Sequence, residues 1–309
     1  MRKTLRAGLR TSEAKIVLVL LASIITADCF LRGIDARLSG NIAHIESIPS
    51  LVRELSAHDN RSMLILGNSL TKDGVHEQTI AARLDVDVAK ITPDGTGLWD
   101  WQCLLQHEVL NNSGADIDTL VIGYAWQLLS DQTRVDPSRL GAHFCELSDL
   151  SQPRSIGLAS FGDTGELVLA RASRIYALRE VLRHRILSIL IPSYETFTQQ
   201  ANAAGAERVG EPQPEQTYTY ERFAALAATL QKKGTRVVVV ALPVQSGYHL
   251  DEELDRLADN GTIALIDLRD IEGLDASAYR DSMHLNDRGQ ALLTERLAER
   301  LASLLKKPS

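Results

Sequence analysis

From residue 62 onward, short apolar runs alternate with longer segments of helical periodicity, and this rhythm limits the folds open to the chain. The runs are rich in β-branched residues and bounded by Gly, Pro or polar residues, which is typical of buried strands. Five strands are predicted, at residues 62–67, 87–92, 117–124, 235–243 and 262–268. Apolar strands that alternate with helices predict a parallel sheet covered on both faces, with the ligand site beyond the carboxyl ends of the strands.

One connection is too long for this rhythm. Residues 125–219 separate the third strand from the fourth, and we interpret them as a helical insertion packed beside the core. Within it we expect a helical stretch at 167–191 and a polar loop at 199–217. The expected organisation is a leader at 1–31, a stalk and helix at 32–60, and one domain at 61–309.

The N-terminus combines a basic tip with an apolar run. Residues 1–15 hold five Lys and Arg against one Glu, and residues 16–27 are apolar except for Ser23 and Thr26. This pattern is typical of a retained signal anchor, and a cleaved signal peptide or a buried helix is the alternative. The run is short for a spanning helix, which needs roughly 20 apolar residues. Under the positive-inside rule, the tip stays cytoplasmic and the body is exported.

The composition excludes several classes of function. The net charge of the whole chain is −7, and because a nucleic-acid-binding protein normally carries a basic footprint, we expect no nucleic-acid partner. The sequence contains no HxxxH pair, no Cys-rich cluster and no Gly-rich phosphate loop. Neither a metal nor another cofactor is therefore predicted.

The cysteines are relevant to the cellular compartment in which the protein folds. Cys29 lies in the apolar leader, which leaves Cys103 and Cys145 in the body. These two could form one disulfide in an oxidising compartment, and two unpaired buried thiols fit the sequence equally well.

The carboxyl end of the first strand carries a serine at a reactive position. Ser69 follows Gly67 and Asn68 at a strand-to-helix turn, where the helix N-terminus favours a developing oxyanion. Asn68 is expected to support the turn through its side chain. Taken alone, a serine at such a turn is more commonly a helix cap.

A second segment supplies the partners that a serine nucleophile needs. Asp281 and His284 lie three residues apart, just before a helix predicted near the C-terminus. Histidine suits proton abstraction from a hydroxyl because its usual pKa lies near neutral pH. A nearby carboxylate fixes the tautomer of the imidazole and stabilises the imidazolium.

Together, GNSL at 67–70 and DSMHLN at 281–286 resemble the first and last sequence blocks of the SGNH (GDSL-like) hydrolases. The resemblance covers residues 62–306 and implies a three-layer, flavodoxin-like α/β sandwich around a five-stranded parallel sheet, here preceded by a membrane helix. It implies Ser69 as the nucleophile, His284 as the general base and Asp281 as the acid that orients it. It also implies an oxyanion hole formed by the Ser69 N–H, a glycine after the second strand and an asparagine after the third.

The sequence matches the oxyanion pattern only in part. Gly95 and Gly97 follow the second strand, and Gly97 is preferred because it directly precedes the next helix. After the third strand, residues 123–126 read Gly-Tyr-Ala-Trp and contain no asparagine, and loss of one such donor costs roughly 10²–10³ in rate. Three alternatives remain open. Tyr124 or Trp126 supplies the third donor, another residue supplies it, or the mechanism differs from that of a generic esterase. Both aromatics could instead be plain core or rim residues.

Divergent SGNH domains behind an N-terminal anchor resemble those of bacterial cell-envelope systems, which add or remove acyl esters on polysaccharides. The resemblance implies an anchored periplasmic or surface O-acyl esterase or O-acyltransferase that forms an acyl-Ser69 intermediate. Its substrate would be an acylated carbohydrate or a small ester, and a polytopic membrane acyltransferase is a conceivable partner. The alternative is a non-catalytic SGNH-like protein that binds glycan or scaffolds an envelope assembly.

A basic stretch in the insertion runs counter to the acidic body. Residues 171–187 hold five arginines against Glu180, beside an apolar face. A basic amphipathic helix could lie on an anionic membrane or hold a polyanionic glycan. A solvated helix face packed on the domain is the alternative.

Overall fold

The computed structural model describes residues 12–57, 60–198 and 217–306. The basic tip up to Arg10, and most of the polar loop predicted at 199–217, lie outside these ranges. The strands are β1 (Ser62–Leu66), β2 (Asp87–Ile91), β3 (Thr119–Tyr124), β4 (Arg236–Ala241) and β5 (Ala264–Asp267). The helices are α1 (Ser12–Leu38), α2 (Gly40–Ser56), α3 (Ser69–Gly74), α4 (Glu77–Leu84), α5 (Leu98–Leu105), α6 (Pro137–Arg139), α7 (Phe161–Ala172), α8 (Arg174–Ala177), α9 (Arg179–Leu190), α10 (Glu221–Lys232), α11 (Glu252–Asp259) and α12 (Asp287–Leu305).

The five strands form one parallel sheet in the order β2-β1-β3-β4-β5. This is the flavodoxin-like order, so the predicted α/β fold class is confirmed. Leu66 of β1 pairs with Ile91 of β2 and with Ile122 of β3. The carboxyl ends of these three strands, and the loops that follow them, therefore meet at one edge of the sheet.

Apolar layers cover both faces of the sheet. In β1, Leu64 and Leu66 belong to the layer built with α2, α5 and α10. Met63 and Ile65 belong to the opposite layer, built with α4 and α12. Because both faces are buried, the strand is a continuous apolar run rather than an alternating one. Full burial of each of these side chains stabilises the fold by about 1.5–3 kcal/mol.

α1 continues beyond the leader segment predicted to end at residue 31. Its stretch Glu13–Leu38 is long and apolar enough to cross a membrane: the most apolar 18 residues within it have a mean hydropathy of 2.2, and none of them is buried. Membrane anchors and signal sequences share these properties. α2 then lies within the core, where it buries Ile45, Ile48 and Val52.

The helical stretch predicted at 167–191 is broken twice, into α7, α8 and α9. Ser173 interrupts it first, because its hydroxyl accepts a hydrogen bond from the Tyr176 N–H at 3.3 Å and so begins a new helix. The second break lies at Leu178. The prediction of one basic helix at 171–187 is therefore wrong.

The arginines of this stretch also face different partners. Arg174 pairs with Asp35 and Glu46, and Arg179 donates to Glu166 at 2.7 Å. Their charges are therefore neutralised within the protein rather than presented together on one helix face.

Candidate active site

Ser69 is the first residue of α3, directly after the turn that leaves β1. Asn68 shapes this turn: its Oδ1 accepts the N–H of Leu70 at 3.0 Å, and its Nδ2 donates to the carbonyl of Thr96 at 3.2 Å. The side chain thus caps α3 and ties the β1 turn to the loop after β2. The backbone N–H of the first helical residue has no intrahelical partner, so the Ser69 N–H is available to an oxyanion.

Two glycines allow α3 to pack directly over the strand ends. Gly67 follows β1 and Gly123 lies near the end of β3, and a Cβ atom at either position would collide with the side chain of Thr71. Thr71 Oγ1 donates to the carbonyl of Gly123 at 3.3 Å. This contact holds α3 at the edge of the sheet with Ser69 at its start, as the predicted strand-to-helix turn requires.

The structure brings Ser69, His284 and Asp281 into one hydrogen-bonded chain. His284 Nε2 lies 2.9 Å from Ser69 Oγ. His284 Nδ1 lies 2.9 Å and 3.0 Å from the two carboxylate oxygens of Asp281. With the proton on Nδ1, the imidazole donates to the carboxylate and accepts from the serine hydroxyl, which is the arrangement of a nucleophile, a base and an orienting acid.

The loop that carries Asp281 and His284 is closed on itself and tied to α3. The Arg280 N–H donates to the carbonyl of His284 at 2.8 Å, so the backbone folds back within the loop. The Arg280 guanidinium donates to Asp73 of α3 at 2.8 Å. The same residue therefore fixes the loop's shape and its position relative to the helix that begins with Ser69.

The Asp281 carboxylate is held in its ionised form. Desolvation by the surrounding loop raises its pKa, but hydrogen bonds from the backbone N–H groups of His284 and Met283, and from the His284 imidazole, outweigh this effect. The pKa of Asp281 therefore lies below its usual range, and the carboxylate stays charged to stabilise an imidazolium at neutral pH.

The two glycines predicted for the oxyanion hole differ in their surroundings. The Gly97 N–H donates to Asp100 Oδ2 at 3.1 Å, and Asp100 in turn holds a bidentate ion pair with Arg139, both contacts 2.9 Å long. Gly95 is exposed and has a φ of +71°, and its N–H makes no hydrogen bond within the described residues. The preferred N–H is thus already engaged, and the role of either glycine stays a prediction.

The segment after the third predicted strand, residues 123–126, presents two buried donors without partners among the described residues. Ala125 stands where the asparagine is expected and is fully buried. The Tyr124 hydroxyl and the Trp126 Nε1 are buried and make no hydrogen bond within the described ranges. Tyr124 belongs to the core layer of α5 and α10, whereas Trp126 packs at the edge of the opposite layer.

Trp126 combines this unpartnered donor with an unusual backbone. Its φ of +51° lies in the left-handed region, which a bulky residue rarely adopts. Strain of this kind is typical of functional sites, and a buried donor without a partner costs about 1–3 kcal/mol. Trp126 is therefore the better candidate for the missing oxyanion donor, a role that stays a prediction.

Cys103 and Cys145 form a disulfide, with Cα atoms 5.5 Å apart, which decides between the two alternatives that the sequence left open. Their sulfur atoms and a carboxylate oxygen of Asp149 lie within 4.8 Å of one another, the one such group of possible metal ligands in the part of the chain that the structure describes. Metal binding needs thiolates, and both thiols are engaged in the disulfide.

Sequence reasoning missed the residues that brace the site from a distance. Asp100, Arg139 and Arg280 stand in no recognised motif, and their partners are far away in the chain. Thr71 could have been found, because glycines at the ends of two neighbouring strands indicate that a third element lies close to both.

No protein-family model matches the chain, and no curated protein matches it. Among solved structures, the chain is similar to a candidate acylhydrolase from Bacteroides fragilis, with 9% identity, a TM-score of 0.38, and coverage of 81% of this chain and 95% of that one. It is also similar to an acetyl xylan esterase from the rumen bacterium Butyrivibrio proteoclasticus, with 10% identity, a TM-score of 0.39, and coverage of 79% of this chain and 64% of that one. At this degree of similarity, a reaction has to be assigned from the chain's own site residues.

Proposed function

We propose that the chain is an exported, membrane-anchored serine acyl-transfer enzyme, an O-acyl esterase or O-acyltransferase that acts on a cell-envelope carbohydrate. The chain of contacts from Ser69 through His284 to Asp281 carries this proposal, since both of its links are 2.9 Å long. A binding module has no need of a base placed on a serine hydroxyl and an ionised carboxylate placed behind that base.

The geometry supports acyl transfer in two steps. His284 Nε2 takes the proton of Ser69 Oγ as the oxygen attacks the ester carbonyl, and Asp281 stabilises the imidazolium that forms. The Ser69 N–H donates to the oxyanion of the tetrahedral intermediate. When the intermediate collapses, His284 returns the proton to the leaving alcohol and an acyl-Ser69 ester remains. Water or a sugar hydroxyl then gives its proton to His284 as it attacks the acyl group. The bond between the acyl carbon and Ser69 Oγ breaks, and His284 returns the proton to Oγ, which restores the free serine.

The cellular setting is inferred from the N-terminal segment and from the disulfide. α1 has the length and composition of a membrane anchor, and a basic tip before it favours export of the body. The disulfide between Cys103 and Cys145 fits an oxidising compartment. The envelope carbohydrate and a polytopic acyltransferase partner follow from the sequence resemblance alone.

Labelling with a fluorophosphonate tests the proposal on the full chain in detergent. Wild-type protein should be labelled at Ser69 and should hydrolyse a chromogenic acetyl ester. Ser69→Ala should lose both, and His284→Ala should be labelled far more slowly. Ser282→Ala is the matched control, because this serine lies in the same loop and its hydroxyl is outside the chain of contacts. Turnover that rises on addition of a sugar acceptor would favour the transferase over the esterase.

One observation favours the non-catalytic alternative. Asp100 occupies the Gly97 N–H, and Ala125 stands where a donor asparagine is expected, so the oxyanion hole has fewer donors than the family pattern implies. If wild-type protein is inert to the ester and to the phosphonate but retains glycan binding, the enzymatic proposal is wrong.

A further inference from the structure

α7 presents an apolar face to the outside of the protein. Phe161 is 93% exposed, Leu169 52% and Val168 38%. Counted from Phe161, the positions one, four, seven, eight and eleven residues further on lie on the same side of the helix. The residues on this face are all apolar or glycine: Phe161, Gly162, Gly165, Val168, Leu169 and Ala172. A surface helix normally turns polar residues outward, so this face is unusual for a helix in contact with water.

The inward side of the same helix is apolar as well. Leu167 and Ala170 are buried. The backbone of Leu167 lies so close to Gly141 that a Cβ atom on residue 141 would collide with the Leu167 backbone. α7 is thus already packed on the protein by one side. Its exposed side is a second apolar surface, and within the described residues no other element covers it.

The C-terminal end of α7 is attached to α1, just where the apolar part of α1 ends. Arg32 donates to the carbonyl of Ala172 at 2.6 Å. Asp28 accepts from the Ser173 hydroxyl at 2.9 Å and from the Ile175 N–H at 3.0 Å. Residues 16–27 directly before Asp28 are almost entirely apolar, so the insertion is attached at the boundary between the apolar and polar parts of α1.

An ion cluster around the buried Arg174–Asp35 pair strengthens this attachment. The Arg174 side chain is 13% exposed and pairs with Asp35 of α1 and, at 3.2 Å, with Glu46 of α2. It also donates to the carbonyl of Ala142 at 3.2 Å. Removal of one partner of such a cluster leaves an uncompensated charge, so the insertion is expected to hold its position beside α1.

The length of the apolar segment sets the height of α7 relative to a bilayer. At 1.5 Å per residue, residues 16–27 span roughly 18 Å, which is less than the ~30 Å hydrocarbon core. A bilayer that surrounds this segment either thins locally or reaches past residue 27, so Asp28 and the attached end of α7 lie at the boundary between hydrocarbon and headgroups. Arg171 flanks the apolar face, is exposed and makes no hydrogen bond or ion pair within the described ranges, so it is free to meet lipid phosphates.

We propose that the exposed face of α7 lies in the interfacial layer of a phospholipid bilayer beside α1, and that it holds the body at a fixed height above the membrane. The proposal rests on the membrane attachment proposed above for α1. The lipid surface is favoured as the occupant by its continuity with α1 and by the unpaired Arg171, which complements anionic headgroups.

The test uses the full chain in vesicles of zwitterionic and anionic phospholipid. Leu169→Trp places a fluorescent reporter on the exposed face, and Leu147→Trp is the matched control, since Leu147 is a similarly exposed leucine outside α7. Emission is compared, after subtraction of the wild-type signal, with lipids brominated near the headgroup end of the acyl chain. We expect quenching by about half for Leu169→Trp and none for Leu147→Trp, because an interfacial helix buries its apolar face by about 5–10 Å.

The outcomes separate this proposal from the one on which it rests. Extraction of the chain from vesicles by alkaline carbonate would show that α1 is not an anchor, and both would fail. If the chain resists extraction and Leu169→Trp is not quenched, the anchor stands and the α7 proposal is wrong. Emission that shifts to the blue with protein concentration, without quenching by lipid, would show that a second copy covers the face, and this too would overturn the proposal. A double variant with Val168→Asp and Leu169→Asp should leave phosphonate labelling in detergent unchanged.

Discussion

His284 Nε2 lies 2.9 Å from Ser69 Oγ, although 215 positions separate the two residues in the sequence. The contact joins the first turn at the carboxyl edge of the sheet to the last loop before α12. Arg280 braces it by donating to Asp73 of α3 at 2.8 Å. The reactive pair is therefore held by a direct link between its two supporting elements.

Replacement of the orienting carboxylate should slow the chemistry without unfolding the protein. Asp281→Asn is expected to lower kcat roughly 10⁴-fold, because the amide no longer selects the reactive tautomer of the imidazole and carries no charge to stabilise the imidazolium. Steady-state ester hydrolysis and the rate of phosphonate labelling measure the effect. Asp275→Asn, at an exposed carboxylate earlier in the same segment, is the control. A loss no larger than that of the control would contradict the role of Asp281.

Removal of the Trp126 N–H should affect rate rather than stability. If the indole donates to the oxyanion, Trp126→Phe should lower kcat roughly 10²–10³-fold with little change in KM. Thermal stability should hold or rise slightly, because the N–H has no partner in the described part of the protein. Trp99→Phe is the matched control: its Nε1 donates to the carbonyl of Thr133 at 2.9 Å, so this variant should lose stability and keep its kcat. An unchanged kcat for Trp126→Phe would remove Trp126 from the mechanism.

The disulfide should stabilise the junction between α5 and the insertion. Cys103 and Cys145 are 42 positions apart, and closure of a loop of this length stabilises a fold by about 4 kcal/mol in the chain-entropy treatment. Cys103→Ala should therefore lower the Tm, as should reduction of the wild type. Alkylation of unreduced, denatured protein followed by mass measurement should modify Cys29 alone. Modification of all three cysteines in protein purified from an oxidising compartment would rule out the bond.

Stability should fall on acidification because of His143. Burial lowers its pKa to about 4 from a usual value of 6.5, and the nearby Arg174 acts in the same direction. Between these two values the unfolded chain binds a proton that the folded protein does not, so the free energy of unfolding decreases as the pH falls, by up to about 3 kcal/mol. Denaturant unfolding at a series of pH values measures the slope.

The His143 prediction has its own control. His143→Phe should flatten the stability profile above pH 4, while His249→Phe, at an exposed site, should leave it unchanged. Equal slopes for wild type and His143→Phe would show that another group is responsible.

Much of the fold was predictable because its signals are local. A strand buried on both faces must be a continuous apolar run, and residues 62–67 and 235–243 show this directly. The α/β class and the parallel sheet follow from the order of such runs. The break of the predicted helix at Ser173 was not predictable from periodicity, because it depends on a side chain that caps a new helix and on Asp28, which lies 145 positions away.

The amino-acid sequence alone indicates which chemical groups the protein can use. Asp281 and His284 are three residues apart, so one tight loop suffices to join them, and the glycine before Ser69 already indicated a reactive turn. Which of these groups meet depends on how the chain folds. In the folded protein, the Ser69 hydroxyl contacts the His284 imidazole, and the Gly97 N–H donates to Asp100. Arg174 forms an ion pair with Asp35 of α1 instead of binding a ligand. Spacing along a chain specifies neighbours within a few turns, whereas contacts between distant segments depend on how the layers pack around the sheet.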